Sequence, residues 1–121
     1  EHWFVGATLK LLLGSEDEGR QRIRSLLVER SEKQPIQASS AGSVFRNPAK
    51  DHAARLIDQA GLKGLKVGGA MVSNQHANFI VNTGNACAWD IEKLIVCIQT
   101  RVKAKFGVFL ETEVRIVGDR L

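Results

Sequence analysis

The sequence predicts an α+β fold: a single two-layer domain with a small mixed or antiparallel sheet packed against about three helices. Three segments show apolar residues at helical spacing, and short apolar runs bounded by glycine and asparagine lie between them. The 121 residues fit one compact unit that can bury an ordinary core. The predicted order of strand, two helices, strands, helix and strand favours two layers over a doubly wound parallel sheet.

The first third of the chain is predicted to contain a strand and a helix. Residues 3–13 place apolar side chains among Thr8 and Lys10, a pattern typical of a strand. Ser15 and Glu18 have the spacing of a capping box, so a helix is expected from there to about residue 30. The apolar face of this helix would be formed by Ile23, Leu26 and Leu27.

The middle of the chain is predicted to contain a loop, a short helix and three short strands. Residues 32–42 are polar and read as the loop, followed by a brief extended segment at 43–45. A helix is expected to begin at Lys50 or Asp51 and to close at Gly61, which suits a left-handed cap. The three strands are expected at 65–67, 70–72 and 78–81.

The last predicted helix has the clearest periodicity. Apolar residues recur at helical spacing from residue 88 to residue 106, and Gly107 ends the pattern. Residues 108–110 and 113–117 then read as closing strand material.

Composition limits the function classes without selecting one. Seventeen basic residues against 13 acidic ones give a net charge of +4, which suits an anionic ligand, either nucleic acid or a phosphate-bearing small molecule. Apolar runs are too short to span a bilayer, and no signal peptide opens the chain, so a cytoplasmic protein without a membrane partner is expected. Cys87 and Cys97 match no zinc pattern, and no metal is expected.

The segment with the most chemical potential is Ala-Gly-Ser-Val-Phe-Arg-Asn-Pro at 41–48. It could offer a hydroxyl, a guanidinium fork and an amide to one phosphorylated ligand. It could equally be a turn in which the serine hydroxyl is hydrogen-bonded within the protein and binds no ligand. It is neither a nucleophile elbow, which needs glycines two positions either side of the serine, nor a phosphate loop.

Three further features are predicted to be structural. His76 precedes an apolar strand, far along the chain from the other histidines, and is expected to serve packing rather than metal binding. Gly68-Gly69 is expected to form a tight bend between strands. Cys87, three residues before Asp90, is expected to be a weak helix cap rather than a redox group.

Five segments in series resemble the UDP-N-acetylenolpyruvoylglucosamine reductase (MurB) family. They occur in the order found in that family and cover nearly the whole chain. The segments are AGSVFRNP (41–48), AGLKG (60–64), GGA (68–70), HANFIVN (76–82) and FGVFLETEVR (106–115).

The resemblance implies a reductase and two catalytic residues. The family reduces UDP-N-acetylglucosamine enolpyruvate with NADPH and bound FAD. The resemblance places the proton donor at Ser43, which is reasonable because the enolate left after hydride transfer is a strong base. It places an active-site carboxyl at Glu113, which would have to be protonated or act through a donor or a water molecule. A third active-site residue, an arginine, is expected upstream of residue 3.

The resemblance also implies substrate-binding residues and a division of the chain. Asn47 and Arg46 would face the diphosphate or sugar, with Lys33 a weaker candidate; a turn residue and solvated charges are the plainer alternatives. Residues 1–14 would be an incoming strand that continues a missing flavin-binding region, and 15–121 the carboxy-terminal substrate-binding domain.

The missing amino-terminal FAD-binding domains have two expected consequences. The chain alone should neither bind FAD nor turn over, because it contains no dinucleotide-binding motif. Surfaces around Trp3, Phe45 and Leu110 should be exposed and could favour self-association.

Two other classes of function compete with the reductase. A small basic nucleic-acid-binding α+β domain fits the charge, but aromatic residues make up 6%, there is no tyrosine, and no basic–aromatic cluster resembles a base-stacking platform. A structural or protein-interaction module is the second, and it would not respond to a nucleotide sugar.

Overall fold

The computed structural model describes residues 3–35 and 37–118. These form three helices and one four-stranded sheet in which every paired neighbour is antiparallel, with the order β1-β4-β3-β2. The elements in chain order are α1 (Glu16–Lys33), β1 (Ser40–Ser43), α2 (Ala53–Gln59), β2 (Lys66–Val67), β3 (Ala70–Val72), β4 (Phe79–Asn82) and α3 (Ala88–Phe106). The predicted α+β class and the number of helices are confirmed, and of the two sheet types left open by the sequence the structure has the antiparallel one.

The core lies where α3 meets β2, β3 and α2. Helix α3 presents one apolar stripe to it, with side chains that are at most 4% exposed. Each such side chain contributes about 1.5–3 kcal/mol when it leaves water. The stripe consists of Leu94, Ile95, Ile98 and Val102. The same spacing predicted this helix, and the predicted range 88–106 is confirmed.

The ends of α3 are set by local chemistry. Cys87 is the N-cap residue, and its backbone N–H donates to Asp90 Oδ2 at 3.2 Å. At the other end, Gly107 has φ of 70°, and its N–H donates to the Lys103 carbonyl at 2.9 Å. A left-handed residue at this position is best supplied by glycine, which has no Cβ.

The Gly68-Gly69 bend between β2 and β3 packs against the start of α3. A Cβ on Gly68 would lie 2.3 Å from Asp90 Oδ1, and one on Gly69 would lie 2.4 Å from Ala86 N. The Gly69 N–H donates to Asp90 Oδ2 at 3.1 Å. The predicted tight bend is therefore confirmed, and its close contact with α3 explains why both positions are glycine.

Helix α1 forms as predicted but packs against little. Ser15 accepts a hydrogen bond from the Glu18 N–H at 3.4 Å, as expected of an N-cap. The helix continues to Lys33, one turn beyond the predicted end, and none of its residues is buried. Its apolar residues are 55–59% exposed: Ile23, Leu26, Leu27 and Val28.

The structure corrects both predicted terminal strands. Residues 3–13 have no regular secondary structure and are exposed, because no strand within the described residues pairs with them. Residues 108–110 and 113–117 contain no strand. Thr112, which lies between the two ranges, forms an isolated bridge with Phe45. The segment instead closes over the core, with Gln99 Nε2 donating to the Leu110 carbonyl at 2.9 Å.

Smaller corrections concern element starts and exposure. Helix α2 begins at Ala53, later than predicted, because Lys50 adopts φ of 69° and the N-cap residue His52 has an extended backbone with φ of −114° and ψ of 128°. Strand β1 occupies 40–43, so the extended segment begins earlier than predicted. Trp3 is exposed as expected, but Phe45 and Leu110 are 1% and 0% exposed, so the expectation that they form an open surface is wrong.

Within the described residues, no helix has the length and apolar character needed to cross a membrane.

Replacing Cys87 with serine should stabilise the domain. A hydroxyl oxygen accepts from helix N-terminal N–H groups better than a thiol does, so Cys87→Ser should raise the free energy of unfolding by about 0.5–1 kcal/mol. Urea denaturation measures this change. The matched control is Cys97→Ser, at a half-buried position inside α3, which should leave stability unchanged or lower it. Equal gains from both substitutions would contradict a capping effect.

Asp90 should make stability depend on acid pH. Hydrogen bonds from the Gly69 and Cys87 N–H groups hold the pKa of Asp90 below its usual value of 3.8. The lowered pKa adds stability that is present above that value and is lost as pH falls through the folded-state pKa. Asp90→Asn should therefore lower stability at pH 7 and flatten its decline below about pH 4, as followed by urea unfolding. Asp17→Asn, on the exposed face of α1, should retain the decline of the parent chain.

Candidate active site

Residues 43–46 form the backbone on which the candidate site is built. Strand β1 leads into this segment, and backbone hydrogen bonds join the segment to residues 78, 111 and 113 of the same chain. The Val44 N–H donates to the Asn78 carbonyl at 2.9 Å, and the Val44 carbonyl accepts from the Glu113 N–H at 2.8 Å. The Arg46 N–H donates to the Glu111 carbonyl at 2.9 Å. The segments that carry Ser43 and Glu113 are therefore neighbours.

The Asn78 side chain fixes this segment from the core side. Asn78 Oδ1 accepts from the Phe45 N–H at 3.0 Å, and Asn78 Nδ2 donates to the Phe45 carbonyl at 2.8 Å. Asn78 is 5% exposed and Phe45 is 1% exposed. One amide thus satisfies both backbone groups of a buried residue, as a paired strand would. These two bonds and the Val44–Asn78 bond are called the Asn78 clamp below.

Two clefts meet at Ser43 and Glu113. The first has a volume of about 390 Å³ and is lined by these two residues together with Ala41 and Val114. The second, of about 270 Å³, is lined by Ser43, Phe45, Asn47, His52, Ala54, His76, Asn78 and Glu113. Ser43 is half-buried and Glu113 is exposed. The structure brings these two predicted catalytic residues together; their chemical roles stay predictions.

The three predicted substrate-binding residues differ in their placement. Asn47 lines the second cleft, and its Oδ1 accepts from the Ala53 N–H at 3.0 Å, which helps to begin α2. The exposed Arg46 is not among the residues that line either cleft. Lys33 lies in the last turn of α1, where its Nζ pairs with Glu29 at 2.5 Å, and it also lines neither cleft.

Two histidines share the second cleft, and sequence reasoning did not connect them with each other or with the site. His76 packs edge-on against Phe79, with ring centroids 4.8 Å apart, and its Nδ1 accepts from the Asn78 N–H at 3.3 Å. Burial lowers the pKa of His76, assisted by the positive charge of Lys63. The predicted packing role is present, but the ring also forms part of the cleft wall. No local motif around His52 or His76 signals their meeting, because it arises from tertiary structure.

The described residues contain no group of three or more His, Cys, Asp or Glu side chains that could hold a metal ion. An apolar cavity of about 420 Å³ lies beside the first cleft and shares Ala41 and Val114 with it. Its walls include Ile80 from β4 and Ile91 and Ile95 from α3. The apolar cavity therefore lies between the first cleft and α3.

Comparison with known proteins identifies the family to which this chain belongs. The family model described as "UDP-N-acetylenolpyruvoylglucosamine reductase, C-terminal domain" matches residues 34–117. The UDP-N-acetylenolpyruvoylglucosamine reductase of Methylococcus capsulatus is 58% identical over 117 residues, which cover 97% of this chain and 38% of that protein. The reductase of the same name from Thiobacillus denitrificans is 52% identical over 120 residues, covering 99% of this chain and 37% of that protein.

A solved structure agrees with these sequence matches. The UDP-N-acetylenolpyruvylglucosamine reductase (MurB) of Thermus caldophilus superimposes with a TM-score of 0.67 at 40% identity, covering 86% of this chain and 37% of that chain. The fold is thus that of the carboxy-terminal part of a longer reductase. The chain belongs to the UDP-N-acetylenolpyruvoylglucosamine reductase family. It spans less than two fifths of the length of the relatives named here.

Asn78→Ala should destabilise the domain strongly. The substitution leaves the buried N–H and carbonyl of Phe45 without partners, and each unsatisfied group costs about 1–3 kcal/mol. A loss of about 2–4 kcal/mol is expected, measured by urea denaturation. Asn74→Ala is the matched control, because Asn74 is exposed in the same loop. A loss below about 0.5 kcal/mol for Asn78→Ala would show that the clamp is dispensable.

Proposed function

We propose that this chain is the substrate-binding, carboxy-terminal part of a flavin- and NADPH-dependent enzyme of peptidoglycan synthesis in the cytoplasm. The reaction would convert UDP-N-acetylglucosamine enolpyruvate to UDP-N-acetylmuramate. The observation that carries the proposal is the meeting of Ser43 and Glu113 at two adjoining clefts, in a chain of this family.

The flavin and NADPH would be bound mainly by the part of the enzyme that lies outside this chain, since the chain matches only 38% of the relative from M. capsulatus. Glu113 is exposed and Ser43 half-buried, so the residues present fit a hydride donor that approaches from outside the domain. When bound, FAD supplies the hydride that adds to one vinyl carbon of the substrate.

Ser43 would deliver the proton to the neighbouring carbon. A serine hydroxyl is a weak acid, but the substrate enolate is basic enough to take its proton. The hydroxyl must also be held in position, because proton transfer requires approach to hydrogen-bonding distance. Ser43 ends β1 and precedes Val44, whose N–H and carbonyl are both held by hydrogen bonds. That support would keep the Ser43 oxygen directed toward the clefts.

Glu113 would act on the carboxylate end of the enolpyruvyl group. Negative charge grows there during hydride addition, and a bare carboxylate would repel it. Glu113 would therefore act as a protonated acid or through an intervening water molecule. Its exposure in this chain implies that the upstream part of the enzyme excludes bulk solvent from the carboxyl during the reaction.

The phosphate-bearing end of the substrate would lie along the second cleft. Asn47, His52 and His76 line this cleft and offer an amide and two imidazoles to an anionic ligand. Arg46 and Lys33 lie outside it and would act as more distant positive charges, in keeping with the net charge of +4. Family membership favours this function over a nucleic-acid-binding domain.

Ser43→Ala should abolish product formation in the longer reductase that carries this chain. Loss of a general acid lowers the rate by about 10²–10⁴-fold, while reduction of bound flavin by NADPH should continue at the parent rate. Stopped-flow spectroscopy separates the two half-reactions. Ser40→Ala, also on β1 but lining neither cleft, should keep full turnover. Normal turnover by Ser43→Ala would rule out this serine as the proton donor.

A further inference from the structure

Helix α1 is attached to the rest of the domain by very few contacts. None of its residues is buried within this chain, so packing against the described residues does not determine the direction in which it points. Its 18 residues correspond to a length of about 27 Å, and it joins the domain covalently at its carboxy-terminal end. A rod of that length held at one end moves its far end by about 5 Å for each 10° of rotation.

Gln75 supplies a second attachment, one turn away from the covalent connection. Gln75 Nε2 donates to the Ser31 carbonyl and to the Glu32 carbonyl, each at 2.7 Å. Carbonyls in the last turn of a helix have no partner within the helix, so a side-chain amide is a suitable donor. These two side-chain hydrogen bonds join α1 to the sheet-bearing part of the domain. Pro35, just after the helix, is buried and anchors the covalent connection.

The loop that carries Gln75 is itself well held. Ser73 is 4% exposed, and its Oγ accepts from the Gln75 N–H at 3.2 Å and from the His76 N–H at 3.3 Å. The Ser73 N–H donates to the Phe79 carbonyl at 2.9 Å, which ties the loop to β4. The loop from which Gln75 contacts α1 is therefore itself hydrogen-bonded to the rest of the domain.

The same loop forms part of the candidate active site. Directly after Gln75 come His76, which lines the second cleft, and Asn78, whose clamp fixes the Phe45 backbone. The loop thus contacts two parts of the domain. Through Gln75 it contacts α1, which connects residues 3–15 to the domain, and through Asn78 it contacts the segment that follows Ser43. The proposed chemistry requires these two parts to be aligned with each other. Gln75 lines neither cleft, so it has no direct contact with the proposed site.

We propose that Gln75 is a positioning residue that sets the direction of α1 relative to the Ser43–Glu113 clefts, and so aligns the preceding polypeptide with them. The claim that Gln75 sets the direction of α1 is supported by its two hydrogen bonds to the helix. The catalytic consequence rests on the proposed function, because the preceding polypeptide would bring the hydride donor to the clefts.

Distance measurements test whether Gln75 sets the direction of α1. Spin labels are attached at Arg24→Cys on α1 and Arg101→Cys on α3, both exposed, in a Cys87→Ser, Cys97→Ala background. Pulsed electron resonance should give one narrow distance distribution for the parent. The distribution should become at least twofold wider in Gln75→Ala and Gln75→Glu, because both lack the amide donor. Gln75→Lys, which keeps a donor for the two carbonyls, should restore the narrow distribution.

Controls separate this effect from unfolding. Asn74→Ala, in the same loop, should keep the parent distribution, and circular dichroism should show equal helix content in all variants. The proposal is overturned if Gln75→Ala keeps the parent width, or if the parent is already as broad as Gln75→Ala.

Kinetics of the longer reductase test the consequence. Gln75→Ala should lower kcat about tenfold, with the substrate KM within twofold of the parent and flavin reduction by NADPH unchanged. Gln75→Lys should recover most of kcat. An unchanged kcat in Gln75→Ala would overturn the proposed alignment. If the parent enzyme shows no reductase activity, the proposed function fails, whereas the distance measurements still decide the role of Gln75.

Discussion

The Asn78 clamp is the constraint on which the site depends. It joins the start of β4 to residues 44–45 through three hydrogen bonds, two of them to the backbone of a residue that is 1% exposed. Buried backbone groups must be paired, so this segment has one acceptable position. Because the Glu113 N–H is bonded to the carbonyl of Val44, the carboxy-terminal segment is positioned by the same clamp. The two candidate catalytic residues thus lie on segments that are hydrogen-bonded to each other and, through residues 44–45, to Asn78.

The core of the domain stabilises the segments that carry the site. Helix α3 holds the sheet through its apolar stripe, and its first turn is joined by Asp90 to the Gly68-Gly69 bend. The carboxy-terminal segment has no strand to stabilise it and relies on Leu110, which is fully buried, and on the hydrogen bond from Gln99. The clefts consequently lie beside buried, hydrogen-bonded structure, although their own walls are polar and partly exposed. A site supported in this way keeps its geometry without help from the ligand.

The parts of the fold that the sequence predicted are those with strong local chemistry. Helix α3 has a buried stripe and a glycine end, and Gly68-Gly69 is a glycine pair between two short apolar runs, so both were predictable from the local sequence. The contact of the bend with Ala86 and Asp90 was not predictable in this way, because those residues are distant along the chain. The strands predicted at residues 3–13 and 113–117 were wrong because an alternating pattern is not sufficient for a strand. A strand also needs a neighbouring strand to pair with, and the local pattern does not reveal one. The late start of α2 depends on the positive φ of Lys50 and the extended backbone of His52, and neither residue type has a special propensity for these conformations.

The candidate site was predictable only in part, for a similar reason. Ser43 and Glu113 are 70 positions apart, and only the family resemblance brought them together before the structure did. His52 and His76 were not connected, because they are 24 positions apart and come to line one cleft only in the folded chain.

The distribution of buried residues also defines a smaller physical unit. Among the described residues, every buried side chain lies between Pro35 and Leu110, and the family model matches nearly the same range, 34–117. A truncated polypeptide that starts near Gln34 would keep the whole core while losing the exposed leucines of α1 and residues 9–13. With fewer exposed apolar side chains, such a polypeptide should aggregate less and would be a favourable sample for isotope-labelled nuclear magnetic resonance. The binding of nucleotide-sugar fragments could then be assigned to individual backbone amides.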